Sequence, residues 1–303
     1  MKNELLKSCH LCPRNCGVDR TGNKTGYCKV TSDVIVARGA LHFWEEPCIS
    51  GTKGSGAVFF GGYNMGCVFC QNKDIVTGKV GKMLSIGELC KLYLDLQSQG
   101  ANNINLVTPS HYVPQIIESL DLAKAGGLSI PVVYNTSSYE KVETLKMLEG
   151  YVDIFLPDFK YFDSALSSKF SKAPDYPDTA KESIAEMVRQ IGNIEFVDFG
   201  DNTLMRRGVI VRHLVLPGHT KDSKKVIEYL YKTYGDSIYI SIMNQYTPIL
   251  CKPQPDYPEL TRKVTSYEYN KVIDYALSLG VTNAFIQEGE TQSESFIPPF
   301  GVL

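Results

Sequence analysis

The sequence carries almost no excess of charge of either sign. Its 31 lysines and arginines stand against 33 aspartates and glutamates, a net charge of −2, so no basic face is implied and no nucleic acid is expected as a partner. No apolar run reaches the length of about eighteen residues that a spanning helix needs, so no membrane is expected either. The N-terminus, "MKNELLKSCHLCPRNC", lacks the apolar segment of a secretory signal, and the expectation is a cytoplasmic protein. In that compartment nine cysteines read as thiols or metal ligands rather than as disulfides. The phosphate-type glycine fingerprint of doubly wound folds is missing, as are internal repeats and low-complexity tracts.

What is present is a chain of 303 residues, 43% of them hydrophobic, long enough to bury a full core without metal or disulfide staples. Residues 1–33 are rich in cysteine, glycine and lysine and have little periodicity. They read as part of an N-terminal extension, residues 1–50, that needs something other than a core to hold it. Further on, short apolar runs alternate with amphipathic stretches: "AVFF" (57–60), "NINLV" (103–107), "PVVY" (131–134), "VDIFL" (152–156), "GVIVRHLVL" (208–216), "SIYISIM" (237–243) and "AFIQ" (284–287). Ser85 with Glu88 and Thr265 with Glu268 predict capping boxes, and Gly100, Gly150, Gly235 and Gly280 predict helix ends. Strand and helix alternating at this spacing predict an α/β fold with a parallel sheet. Without the glycine fingerprint, a barrel or partial barrel over residues 51–303 is favoured, with its chemistry at the carboxyl ends of the strands.

Two constellations carry chemistry. Cys9, Cys12, Cys16 and Cys28 follow the spacing C-x2-C-x3-C-x11-C. Thiolates this dense in a polar segment predict a metal site, zinc or iron–sulfur, and spacing does not choose between them. His10, between two of them, reads as solvated. In "GSGAVFFGGYNMGCVFCQN", Cys67 and Cys70 follow the first core strand. A C-x2-C pair alone is shared by redox pairs and zinc knuckles.

The loop resembles the CxxxCxxC cluster-binding loop of radical S-adenosylmethionine (SAM) enzymes, and the chain as a whole resembles the pyruvate formate-lyase activating enzyme-related branch. The residues that carry the resemblance are "CHLCPRNCGV", "EEPCISGTKGSGAVFF", "CVFCQN", "GANNINLVTPSHYVPQI", "YNTSSYE", "VDIFLPDFKY", "RRGVIVRHLVLPG", "MNQYTP" and "FIQEGE". The resemblance implies a partial (β/α)6 TIM-type barrel, a 4Fe–4S cluster and SAM, which the reduced cluster cleaves to a 5′-deoxyadenosyl radical for hydrogen abstraction. It also implies an electron donor such as a flavodoxin or ferredoxin, and in the better-known relatives a protein substrate that receives a glycyl radical. Cys67 and Cys70 match two cluster ligands. Gln71, Asn72, Asn135, Thr136, Asp158, Lys160 and Arg212 match SAM-site positions. The Gly-Gly-Glu that activating enzymes carry after the second strand is replaced by "VTPSHY", so Ser110 or a carbonyl near Pro109 would have to receive the SAM amino group.

The first position of the triad is Tyr63. Three readings are open. The phenolate ligates iron, with Gly61, Gly62 and Gly66 supplying slack for the longer side chain; or a spare thiol, Cys48 before Cys90 or Cys251, fills the gap; or no complete cluster forms and the chain is a non-catalytic metal-binding relative. Among other residues, His111 and His213 read equally as site groups or as satisfied rim residues. Trp44 reads as core, and Tyr267, Tyr269 and Tyr275 as packing.

Overall fold

The computed structural model describes residues 2–199, 202–248 and 256–287. A short helix α1 (Lys2–Lys7) opens the chain, and the segment behind it is held by a small apolar group of Leu6, Cys9 and Leu11. The sheet begins with β1 (Val34–His42). A single turn α2 (Pro47–Ser50) follows, then β2 (Ser55–Phe60), β3 (Lys82–Leu84), α3 (Ile86–Ser98), β4 (Ile104–Val107), α4 (Val113–Ala125), β5 (Val132–Thr136), α5 (Val142–Lys146) and β6 (Ile154–Pro157). The remainder is α6 (Ser164–Ser171), α7 (Tyr176–Ile191), β7 (Glu195–Phe199), β8 (Asn202–Leu214), α8 (Thr220–Tyr234), β9 (Tyr239–Met243), α9 (Ser266–Leu279) and β10 (Ala284–Ile286). Both predicted capping boxes are formed, at Ser85 and Thr265. Gly100, Gly235 and Gly280 have positive φ at helix ends, and Gly150 has it in the turn that follows α5, a conformation open to glycine without a Cβ penalty.

Strands β2, β4, β5, β6, β8, β9 and β10 run parallel and lie side by side in chain order. A doubly wound sheet would reverse at a switch point, so this order is barrel winding. Among the described residues no pairing joins the two edges, and the α/β barrel is open. Beyond the parallel strands, β1 pairs antiparallel with β2 and with β3, and β7 forms a hairpin with the start of β8. The apolar pattern did not signal these additions. No helix among the described residues is long and apolar enough to cross a membrane.

Side chains alternate across the strands. Tyr134, Phe155, Val209 and Val211 pack outward with the helices, while Val133, Ile154, Leu156 and Ile210 face inward and enclose Cys48 and Ile49 of α2. The β1–β2 connection therefore plugs the barrel. Asn102 and Asn103 bind it there, donating to the carbonyls of Ser50 at 2.6 Å and Ile49 at 2.8 Å. Two aromatic expectations are corrected. Trp44 is 61% exposed, because the connection carries it past the core to the barrel mouth. On α9, Tyr269 is buried but Tyr267 is 74% exposed, since its position falls on the solvent side of the amphipathic helix.

Candidate functional site

One cavity opens at the carboxyl ends of the parallel strands. The loop after β2 brings Tyr63, Cys67, Cys70, Gln71 and Asn72 to it; β5 and β6 end in Asn135, Thr136, Asp158 and Lys160; β8 contributes Arg212. All of the predicted cluster-loop and SAM-site residues therefore line the same space. Thr136 does so with its hydroxyl turned away, donating to Glu140 Oε1 at 2.5 Å. Gln71 is tied across the mouth by a bond from Nε2 to the Gln245 carbonyl at 3.1 Å.

The charged floor is a network centred on Arg212. Its Nε donates to Asp158 Oδ1 at 2.9 Å, Nη1 to Glu45 Oε2 at 3.1 Å and Nη2 to Asn135 Oδ1 at 2.6 Å. Lys160 Nζ donates to the other Asp158 oxygen at 2.6 Å. Burial alone would raise the Asp158 carboxyl, but the Arg212 and Lys160 cations outweigh it and hold the group below its usual range. Glu45 also accepts from Asn105 and Asn135, and burial nevertheless raises it.

Glu45 is a charged cavity residue that sequence reasoning missed. It stands in the quoted "EEPC" segment, but nothing in the spacing shows that the β1–β2 connection folds back into the barrel. Ser110, by contrast, is buried away from the cavity and donates to Glu140 at 2.5 Å. It cannot receive a ligand there, because the turn after β4 points it into the outer layer.

On the opposite wall, the Tyr63 phenol lies beside Cys67 and Cys70, with the Ser137 side chain near it. Burial, reinforced by Cys67, raises it well above the ordinary phenol value. Burial also raises Cys67, against the pull of Lys160, and pushes Cys70 up to about 12. The glycines around Tyr63 do not supply slack. A Cβ on Gly61 would stand 2.7 Å from Ile35, one on Gly62 2.7 Å from the Cys28 carbonyl, and one on Gly66 2.7 Å from the Tyr27 hydroxyl. Gly62 also has a φ of +86°. These residues permit close approach of the loop to its neighbours and so fix the backbone from which Tyr63 projects. Cys48 is in the separate inner core and Cys90, on α3, packs against the cluster beneath that helix, so neither lines the cavity; Cys251 lies outside the described residues.

His111 and His213 are buried rim residues, each bonded to a backbone carbonyl: His111 Nε2 to Gly61 at 2.8 Å, His213 Nδ1 to Phe159 at 2.7 Å. Burial pushes them down to about 3 and about 4, so both are neutral donors. The four N-terminal cysteines gather beside this rim, close enough for each of Cys12 and Cys28 to feel two of the others. Among the described residues no three His, Cys, Asp or Glu side chains already converge in ligating positions.

Glu140, behind the site, yields a test of the buried network. It accepts from Ser110 and Thr136, yet burial raises it from 4.5 to about 7. The folded state therefore holds this proton more tightly than the unfolded chain. The associated stability is full below pH 4.5 and is lost as pH rises to about 7. Across that window the wild type should lose on the order of 3 kcal/mol that Glu140→Gln does not lose. Urea unfolding at pH 5 and 8 measures this, and parallel pH profiles would contradict it.

No family model matches the chain. The uncharacterized protein MJ0674 of Methanocaldococcus jannaschii is 28% identical over 284 residues, covering 90% of this chain and 75% of its own. Among solved structures, Streptococcus suis SuiB bound to precursor peptide SuiA matches with a TM-score of 0.49 at 10% identity, over 76% of this chain and 47% of SuiB. SuiB bound to S-adenosylmethionine matches with a TM-score of 0.49 at 12% identity, over 75% and 48%. The chain thus spans just under half the length of those structures. At these levels the likenesses assign no activity to it.

Proposed function

We propose that the chain is a radical SAM enzyme of the activating type, with a 4Fe–4S cluster held by Tyr63, Cys67 and Cys70. The observation that carries this reading is the convergence of those three donors with Asp158, Lys160 and Arg212 on one cavity at the strand ends. The donor set fits such a group in chemistry, since two thiols and a phenol share one cavity and Lys160 favours the thiolate form of Cys67 and Cys70. When bound, the reduced cluster supplies the electron that cleaves SAM and yields the radical that abstracts a hydrogen atom.

The chain's own residues do the rest. Asp158 orients Lys160 and Arg212 toward a ligand carboxylate. Glu45, steadied by Asn105 and Asn135, offers an acceptor for an ammonium group in place of the absent Gly-Gly-Glu. Gln71 and Asn72 border the ligand, and Val107, Leu214 and Met243 give the cavity an apolar wall that limits water. The electron donor would be a flavodoxin or ferredoxin and the substrate a protein partner. In the same reading, Cys9, Cys12, Cys16 and Cys28 form a second metal site, zinc or iron–sulfur.

One observation favours a second reading. Burial raises Tyr63, Cys67 and Cys70 and so disfavours the charged forms that would ligate iron, as suits a non-catalytic barrel. Anaerobic reconstitution with iron and sulfide, followed by reduction with SAM present, separates the two. The enzyme yields methionine and 5′-deoxyadenosine, and absence of both products from a protein that folds would leave the non-catalytic reading. Because the ligands must lose protons to bind, iron uptake at this site is expected to rise with pH between 7 and 9. An iron content flat across that range would speak against these three ligands.

A further inference from the structure

Arg20 has no exposed surface, and a guanidinium keeps its charge in any protein environment. Its donors go to carbonyls: Nε to Val30 at 3.3 Å, Nη1 to His111 at 2.7 Å and Nη2 to Thr31 at 2.8 Å. These bonds give each nitrogen a carbonyl partner but leave the charge without a counter-charge. Among the described residues no carboxylate forms an ion pair with it. A buried charge without a counter-charge is strongly unfavourable, so the working protein must place an anion nearby. The remaining contact identifies that anion: Nη1 also reaches Cys9 Sγ at 3.6 Å.

A second of the four sulfurs also receives a donor: the Tyr27 N–H bonds to Cys16 Sγ at 3.3 Å. N–H groups aimed at sulfur suit thiolates, since such bonds favour the charged form. We propose that Arg20 is the buried counter-cation of a tetrathiolate metal centre formed by Cys9, Cys12, Cys16 and Cys28, whose net charge is about −2 with either Zn²⁺ or an iron–sulfur core of charge +2. The inference rests on the second metal site of the reading above and on nothing in the cavity.

The centre also fixes the Tyr63 loop. The Cys28 carbonyl accepts the Tyr63 N–H at 3.3 Å and packs against Gly62. Arg20 holds His111 by its carbonyl, and His111 in turn holds the Gly61 carbonyl. The loop is thus tied to the cysteine segment on both sides of Arg20.

The test uses full-length protein carrying Cys67→Ser and Cys70→Ser, so that only the N-terminal site remains. It is stripped and then loaded with zinc, or in parallel with iron and sulfide. Retention of one centre per chain in either arm is expected and tells the two metals apart; retention in neither overturns the metal site. With that centre present, Arg20→Gln should weaken metal binding in chelator competition by about tenfold or more, with Arg20→Lys recovering most of the loss. Affinity within about twofold for Arg20→Gln would overturn the counter-cation role while leaving the metal site standing. Should Arg20→Gln not fold, trypsin decides on the Arg20-intact protein. Cleavage after Arg20 should occur in the stripped protein and be suppressed by metal, and equal protection of both forms overturns the proposal.

Discussion

Tyr63→Phe is expected to fold as the wild type does but to take up fewer than four irons at the cavity on anaerobic reconstitution. The substitution removes one oxygen and leaves the ring, which packs with the main core, so stability should change by no more than about 1 kcal/mol, the worth of one polar contact. Iron retention is a different matter. The phenol sits beside Cys67 and Cys70 on a backbone that cannot retreat, because Gly61, Gly62 and Gly66 are all in close contact with their neighbours. The side chain therefore reaches toward whatever the two thiols hold. A phenolate is a harder donor than a thiolate, and ligand identity is one of the protein's levers on cluster potential. Tyr63→Cys should assemble a cluster with three thiolate ligands and a spectrum distinct from that of the wild type. Iron analysis with electron paramagnetic resonance reads both variants. A Tyr63→Phe protein with four irons and an unchanged spectrum would end the case for a tyrosine ligand. Cys48 would not replace it, since it lies in the inner core behind the β1–β2 connection.

Arg212→Ala should have the largest effect on stability. Arg212 is the common partner of Asp158, Glu45 and Asn135, and all four side chains are largely buried. Removing it leaves two buried carboxylates with one cation, Lys160, which contacts only Asp158. Breaking a buried ion network in this way costs about 3–5 kcal/mol. Arg212→Lys should lose less, because the charge survives and only the three-way fork is lost. On the functional side, loss of a charge-assisted bond to the ligand should weaken SAM binding by about 1.5–3 kcal/mol. Chemical denaturation and calorimetry separate the two roles. Unchanged stability would contradict the network, and unchanged SAM affinity in a folded variant would remove Arg212 from the binding site.

The fold was legible where local rules act locally. Capping boxes at Ser85 and Thr265, glycines at helix ends and apolar runs of strand length each depend on residues a few positions apart, and the structure has them where the pattern places them. The order of parallel strands followed from the same alternation. The antiparallel strands β1, β3 and β7 were not legible, since strands added beside the parallel set need no continuous apolar run.

The chemical types of the site, two thiols, a phenol, Asp158, Lys160 and Arg212, could be read from the chain because the residues at strand ends in such a barrel face one mouth. Their mutual partners could not. That Glu45 enters the barrel, that Ser110 leaves it, that the loop glycines are tight rather than slack, and that Trp44 stands at the mouth all depend on how the β1–β2 connection and the turn after β4 fold back. The sequence determined which elements form and which donors are available, because those depend on short-range periodicity and residue chemistry. Tertiary structure alone decided which charges compensate one another, because contacts such as Arg212 with Glu45 join residues far apart in the chain and depend on the shape of the whole barrel.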